Sequence, residues 1–497
     1  MILEVILLLA LVAILVYKKT AKPATMPPGS FGWPVIGSLP PLQMPITQHL
    51  SNLKKQYGNI ITTKWGSIPI VVLADYQLIK KAFNHPDFQG RPNLFSFQLY
   101  SYFRNYGVGN SVGKVWADNR RFLLRHLRTL GMGKTHAEDS IQYEAKMLVE
   151  YLEEHNLDKP SEMDWSLNVA VLNVIWQMMA SKRYAADDEE IVNYNKMVTE
   201  DFDIVQGPVF LLDVMPWLNN VLPNFIKNNV MKVDVLMRHR DEFYNYCLKM
   251  FDEHKKNLDP ENPRDIIDYY LLEIEANKDD PDTTFISDPG MLHSVVNDMF
   301  TAGSETSATT LRWMILYMAV KPEIQSKIHK LLDAVVPSDR LPSLDDREQL
   351  AYIDAMLLDL MRISSLVPIS LPHCATATVQ FEGYTIPKGT MLLVCAEMCH
   401  RDPAVWKCPD DLYPEHFLDE DGKLDSKKDS FLPFSIGRRQ CLGESLARME
   451  LFLFASAILQ RFTIQPPPGV TLSTSTDPAM KLLNSPKPYK VVLKKRH

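Results

Sequence analysis

Cys441 lies in Phe434-Ser-Ile-Gly437-Arg-Arg439-Gln-Cys441-Leu-Gly443, ahead of a long apolar, helix-like run from Glu444 to Phe462. Backbone N–H groups at a helix N-terminus and nearby cations both stabilise a thiolate. Gly437 permits a sharp turn, and Gly443 lets a flat partner approach the backbone. Together these residue types describe a deprotonated cysteine facing a large planar group. A second constellation is Phe300-Thr-Ala302-Gly303-Ser304-Glu305-Thr306-Ser307, inside a helical run from about Leu292 to Val320. Glycine and several hydroxyl residues are unfavourable in mid-helix, and Thr306 can bond its own i−4 carbonyl. A carboxylic acid beside a hydroxyl makes a proton relay. Trp116 and Arg120 share one helix face at i, i+4, where an indole N–H and a guanidinium can grip a carboxylate. Asp359 and Arg362, at i, i+3, can form a salt bridge.

The elements that must position these groups are mostly helices. The chain has 497 residues, 46% apolar, with only 20 glycines, a composition that fits a globular, helical protein. Glu138 to Ala351 reads as mainly helical, broken at Pro160, Pro208, Pro216 and Pro223. Asp252–Arg264 and Glu273–Asp282 read as solvated loops between helices. Ile60–Ala74 is rich in β-branched residues and reads as a hairpin. Strand-like pieces return at Thr376–Tyr384, Met391–Cys395 and Tyr489–Leu493. The expected class is mainly α with small β-sheets (α+β), in one catalytic body of residues 35–497.

The start of the chain differs in kind. Val5 to Tyr17 is unbroken apolar sequence, extended back to Ile2 across Glu4, and Lys18, Lys19 and Lys22 follow it. Charges after the apolar run argue against a secretory signal. They place the N-terminus in the lumen and the body in the cytosol. Residues 1–17 are read as a single-pass transmembrane anchor suited to the thin endoplasmic reticulum bilayer. Residues 18–34, basic and proline-rich, are read as a stiff linker.

Composition also excludes functions. A net charge of −7 argues against a nucleic-acid binder. Six cysteines are too sparse for a disulfide scaffold. Cys395, Cys399, His400 and Cys408 match no standard zinc spacing and read as buried structural residues. Gly107-Val-Gly109-Asn-Ser-Val-Gly113-Lys114 lacks the glycine and the Ser or Thr of a phosphate loop.

The spacing F-x-x-G-x-R-x-C-x-G resembles the haem-ligand loop of the cytochrome P-450 monooxygenases, and the 300–307 segment resembles that family's A-G-x-[DE]-T distal helix. The resemblance covers essentially the whole chain and implies the mainly α, triangular haem-thiolate fold. It is nearest to the animal microsomal clan that holds drug-, fatty-acid- and hormone-oxidising enzymes. It implies haem b, with Cys441 as the iron's thiolate ligand. Phe434, Gly437 and Gly443 shape the ligand loop, and Ala302 and Gly303 wall the space over the iron. Glu305 and Thr306 deliver protons for oxygen activation. Trp116, Arg120, Arg439, Arg91 and His373 hold the haem propionates. The family's E-x-x-R helix is answered here by Asp359 and Arg362, with His416 in the partner segment Tyr413-Pro414-Glu-His416-Phe417. The shortened acid puts the geometry of that buried pair in question.

Lys114, Arg120, Arg121, Arg125, Arg128 and Lys134 face one acid, Asp118, and with Arg438 and Arg448 they imply a basic face for an acidic electron donor. The resemblance implies NADPH-cytochrome P-450 reductase, sometimes aided by cytochrome b5, so that NADPH acts indirectly. The implied activity is insertion of one atom of O₂ into a lipophilic small molecule: a steroid, fatty acid, terpenoid or xenobiotic. A haem-thiolate isomerase or dehydrase acting on peroxides, and a non-catalytic haem-binding protein, are the alternatives. The bilayer is a further expected partner, along Ile204–Trp217 as well as the anchor.

Overall fold

The computed structural model describes residues 21–41, 44–132, 135–163, 165–478 and 483–496. The expected anchor and Lys134 lie outside them. Seven helices carry most of the architecture: α1 (Gly113–Thr129), α2 (Thr135–Asn156), α3 (Ser166–Ala180), α4 (Val233–Lys256), α5 (Pro289–Val320), α6 (Ala351–Ser364) and α7 (Glu444–Arg461). At 32 residues, α5 is the longest. Asp288 caps it by accepting from the Gly290 N–H, and Pro289 occupies its first turn, where no amide is needed. It packs on α3, α6 and α7. Its C-terminal half is buried nearly all round, as are α3, α6 and α7, while its middle is open on one face at Ala302. One continuous apolar core runs through these four helices.

A four-stranded sheet lies outside the bundle, in the order β1-β2-β6-β3. The hairpin of β1 (Ile60–Trp65) and β2 (Ile68–Leu73) turns at Gly66 (φ +56°). β2 pairs in parallel with β6 (Met391–Val394), which pairs antiparallel with β3 (His373–Cys374). Two-stranded ladders are formed by β4 (Val379–Phe381) with β5 (Tyr384–Ile386), and by β7 (Phe462–Gln465) with β8 (Val492–Lys495). The mainly helical α+β class is therefore correct.

The expected loop Asp252–Arg264 is corrected at its start, because α4 continues to Lys256. His254 is buried in that last turn, with Nε2 2.9 Å from the Asp265 carboxylate and Nδ1 2.8 Å from the Met250 carbonyl. Glu273 is likewise helical, in the segment Ile266–Ala276. A charge count alone misses acids that cap and brace helices.

Candidate active site

The segment from Phe431 to Gly443 has neither helix nor strand and is shaped by local turns. Gly437 has φ +81°, and a Cβ there would stand 2.3 Å from the Phe83 carbonyl oxygen, so only glycine fits. The Cys441 N–H donates to the Phe434 carbonyl (2.9 Å), which closes the loop just before α7 begins. Gly443 differs: its φ is −90°, and an added Cβ would meet no protein atom within 4 Å. Protein contacts do not require a glycine at that position.

Of the six free cysteines only Cys441 is exposed. Burial of the surrounding loop nevertheless pushes its thiol pKa up. The Glu444 charge acts in the same direction, while the N–H groups of Gly443 and Glu444 and the Arg120 guanidinium oppose it. The helix terminus alone therefore does not make the expected thiolate, because desolvation outweighs it. A bound metal ion deprotonates such a thiol outright.

Behind Cys441 three guanidinium groups converge. Arg439, 8% exposed, donates from Nε and Nη2 to the Gln89 carbonyl (3.1 and 3.0 Å) and from Nη2 to the Ser111 carbonyl (2.8 Å). Its Nη1 is buried without a partner. Arg439 also stacks 4.1 Å from the Trp116 ring centroid. Arg91 donates to the carbonyls of Gly109 (3.1 Å), Leu371 (3.1 Å) and Pro372 (2.8 Å), and Arg120 to that of Gln440 (2.7 Å). Every acceptor is a neutral carbonyl. Burial, then Arg91 and Arg120, hold the Arg439 pKa down at about 8. Buried like charges without a counter-ion are costly, so this cluster suits a carboxylate-bearing group.

His373 is brought to the same place, stacked on Phe83 at 4.0 Å with Nδ1 2.7 Å from the Phe88 carbonyl. Burial, with Arg91 and Arg439, holds its pKa at about 3. A neutral ring that donates from Nδ1 to a carbonyl presents only a lone pair at Nε2. In that state Nε2 would meet a carboxylate without an N–H, so a propionate contact from His373 requires the ring to be protonated or to take the other tautomer.

On α5, Thr306 is half-buried and donates to the Ala302 carbonyl (2.8 Å), and Thr310 donates to the Thr306 carbonyl (2.9 Å). Ala302 is exposed on the same face. Two expectations are corrected here. A Cβ on Gly303 would meet Ile175 Cγ2 at 3.0 Å, so this glycine lets α3 pack on α5. Glu305 is turned away from Thr306. Its carboxylate accepts from Asn168 Nδ2 (2.8 Å) and Thr309 Oγ1 (2.8 Å) and pairs with Arg312 Nη1 (3.5 Å). Neighbours one residue apart do not share a helix face, so the direct acid–hydroxyl relay is not formed.

One acid was missed by sequence reasoning. Glu450 of α7 is buried and accepts from Ser307 Oγ of α5 (3.0 Å). A single acid inside the apolar run Leu446–Leu459 was the available signal. Burial pushes its pKa up to about 8 from 4.5. The folded protein thus binds this proton more tightly than the unfolded chain, and stability falls as pH rises across that window. Glu450→Gln removes the dependence. Its stability relative to the parent should gain about 1.4 kcal/mol per pH unit through the window, read by denaturant unfolding at several pH values. Parallel pH profiles for the two proteins would refute a neutral Glu450.

The Asp359 pair is better satisfied than its shortened arm suggested. Both residues are fully buried; Asp359 accepts from Arg362 Nε (2.6 Å) and Nη2 (3.2 Å), from the Tyr413 N–H (2.6 Å) and from His416 Nδ1 (2.8 Å). Arg362 also donates to the carbonyls of His400, Cys408, Pro409 and Asp411. The aspartate thus completes the link between α6 and residues 408–416.

The segment rejected as a phosphate loop does bind an anion, one belonging to the protein. Asp298 of α5 accepts from the N–H groups of Val108 (2.7 Å) and Gly109 (2.9 Å), and burial raises its pKa to about 6. Gly107 (φ +79°) would place a Cβ 2.4 Å from that carboxylate. On α1, Arg121, Arg125 and Arg128 form an exposed stripe, and Arg438 is exposed on the cysteine loop. Asp118 engages Lys114 (3.0 Å) and Arg121 (3.6 Å).

A family model described as Cytochrome P450 matches residues 27–493. Among curated proteins, the chain is 42% identical to "Cytochrome P450 2L1" of Panulirus argus over 482 residues, covering 97% of each chain. It is 36% identical to "Cytochrome P450 18a1" of Drosophila melanogaster, over 95% of this chain and 87% of that one. It is 35% identical to "Cytochrome P450 2J2" of Homo sapiens, over 94% and 92%.

Proposed function

Because this chain belongs to the cytochrome P450 family of haem-thiolate monooxygenases, we propose that it inserts one oxygen atom of O₂ into a lipophilic small molecule, with NADPH electrons delivered by a flavin reductase. The observation that carries the site assignment is the acid-free cluster of Arg91, Arg120 and Arg439 beside Cys441, with the orphaned Nη1 of Arg439. Cys441 Sγ would ligate haem iron. Arg439, Arg91 and Arg120 would bind the propionates, and Trp116 fixes Arg439 by stacking. Phe434 and Gly437 set the loop, and Gly443 leaves its approach clear. The haem supplies reduction and cleavage of O₂ when bound.

The chain's own residues control protons and water. Thr306 holds a movable proton at Oγ1, anchored on the Ala302 carbonyl in the face of α5 that Ala302 leaves open. Glu305, committed to Asn168, Thr309 and Arg312, braces that turn against α3. The stripe Arg121, Arg125 and Arg128 with Arg438 is the docking face for an acidic donor, reductase or cytochrome b5.

Among the described residues no helix is long and apolar enough to cross a membrane. The body has a lipid-facing surface in this reading. Trp33 (78% exposed), Val35 and Ile36 form one exposed apolar group, and Trp217, Val221 and Phe225 (72%) form another. The β1–β2 turn joins them: Gly66 N–H bonds the Ile36 carbonyl (2.8 Å) and Ser67 N–H the Val214 carbonyl (2.7 Å). Endoplasmic reticulum attachment, with the body on the cytosolic side, fits this arrangement.

NADPH oxidation and O₂ uptake that require the reductase test the reading. Peroxide turnover without reductase would favour an isomerase or dehydrase, and no turnover of either kind a binding protein. Thr306→Ala should leave NADPH oxidation running while product falls about 10²-fold and hydrogen peroxide rises. Unchanged coupling would place the proton donor elsewhere.

A further inference from the structure

The short helix Phe95–Tyr100 lies in the segment that joins Arg91 to Trp116 of the site. It packs through Leu99 against Ile204, Leu212 and Leu236, a small apolar cluster separate from the main core. Both of its ends are held by polar side chains of other elements. At its start, the buried Asp213 of the helix Phe210–Val214 accepts from the Ser96 N–H (2.8 Å) and hydroxyl (2.9 Å). At its end, Arg240 of α4 donates to the Leu99 carbonyl (3.3 Å). The buried Tyr100 hydroxyl faces Asp201 of the helix Glu189–Val205.

Asp201 is in turn bound to α4. Its Oδ1 is 2.7 Å from Nδ1 of His239, which is itself buried, and Glu200 lies 3.8 Å from the other ring nitrogen. The pair stitches the helix Glu189–Val205 to α4 along the seam on which Leu99 and Tyr100 sit.

The chain just beyond is under strain. Tyr102 and Phe103 both have φ +55°, a left-handed conformation costly for aromatic residues. Beneath Tyr102, α5 presents the fully buried His293, its ring 5.7 Å away and neither of its nitrogens hydrogen-bonded. A strained connection, an orphaned imidazole and a small separate core describe an element kept in place by its polar contacts. Lids that open on strained or hinge residues are built this way.

We propose that the His239–Asp201 pair is a proton-dependent latch on this lid: while His239 carries its proton the Phe95–Tyr100 helix stays seated, and loss of that proton frees the helix and opens the way to the haem chamber. The chamber itself rests on the function proposed above.

The direction follows from the groups that face the latch. The Asp201 bond, against burial, and then the charges of Asp201 and Glu200 hold the His239 pKa above its usual value, with Arg238 opposing. Burial raises that of Asp201 as well, against its bonds to His239 and Tyr100. The closed state thus binds protons more tightly than the open one, and closure weakens as pH rises. Burial lifts Asp213 to about 6, which acts in the same direction in a more acidic window. Burial, then Arg240, hold His293 down at about 3, which acts in the opposite direction. Burial raises Tyr100, Tyr102 and Tyr244, which stay neutral. From about pH 7 upward Asp213 is ionised and His293 neutral whether the lid is open or shut, so the His239 pair sets the response.

The test uses the full-length, haem-loaded protein and two readouts. Hydrogen exchange of the amides of residues 95–103, corrected for the intrinsic effect of pH, reads the lid. The association rate of an azole, followed through the haem spectrum, reads entry to the chamber. Between about pH 7 and about pH 8.5 the parent should lose protection and bind the azole faster, by about tenfold in each, the size of one contacting charged pair. His239→Gln should already behave as open at the lower pH and lose the response. Asp201→Asn should do the same from the other side of the pair, and an azole spectrum of parental shape shows that each variant is folded. His155→Gln, which removes an exposed histidine in the last turn of α2, should respond as the parent does. Protection that does not change with pH would overturn the proposal, as would His239→Gln with the parent's protection and response. Exchange that responds while azole association does not would also overturn it, because the lid would not guard the chamber. A chain that takes up no haem would overturn the chamber reading instead, and the exchange result alone would then decide the latch.

Discussion

Arg362→Ala should unfold the haem-binding body or leave it unable to retain cofactor. The guanidinium links the Asp359 carboxylate to four backbone carbonyls of residues 400–411. Its removal leaves Asp359 buried with only the His416 and Tyr413 donors and strips those carbonyls of a partner. Breaking one side of a buried ion pair costs roughly 3–5 kcal/mol, a large part of the ~5–15 kcal/mol that holds a domain folded. Asp359→Asn should be nearly as damaging, because it leaves Arg362 without its counter-charge. Asp359→Glu should cost less, about 1–3 kcal/mol, for forcing an extra methylene into a filled site. Thermal unfolding and the yield of haem-loaded protein measure the series. An Arg362→Ala protein with parental stability would show that the network is dispensable.

Cys441→Ala should remove the thiolate signature from the reduced carbon-monoxide spectrum and abolish NADPH-dependent oxygenation, while the loop keeps its shape. The shape is set by backbone contacts, chiefly Cys441 N–H to the Phe434 carbonyl and Gly437 against Phe83, that alanine preserves. Retained haem with a changed spectrum is the expected outcome, since the arginine cluster proposed to hold the propionates would be unaltered. Cys395→Ala, which removes a buried thiol whose pKa burial pushes up to about 12, should leave the spectrum unchanged. A normal thiolate spectrum in Cys441→Ala would sink the ligand assignment.

Much of this was legible in the chain because the informative groups are close in sequence. The cysteine loop spans ten residues, and Trp116 and Arg120 stand one helical turn apart, so pattern alone brings each set together. Phase relative to the rest of the fold was not legible. Nothing local in Ala302-Gly303-Ser304-Glu305-Thr306 says which face of α5 meets α3, and that choice sends Gly303 to Ile175 and Glu305 to Asn168. Glu450 was passed over because its partner, Ser307, is 143 residues away. The shortened acid at 359 looked like a weakness because helix spacing reports the distance to Arg362 but not the Tyr413 amide and His416 that complete its coordination.

The clasp of Asp298 on residues 108 and 109 joins a covering loop to the wall that carries Thr306, eight residues further along the same helix. If that loop moves outward by more than hydrogen-bond reach, it leaves a buried carboxylate with no donor, a penalty of several kcal/mol if it stays ionised. The loop and the helix therefore behave as one mechanical degree of freedom. In the function proposed above, a bulky substrate that displaced residues 107–109 would also load the helix that carries Thr306, so molecular size and proton supply would be coupled through one carboxylate.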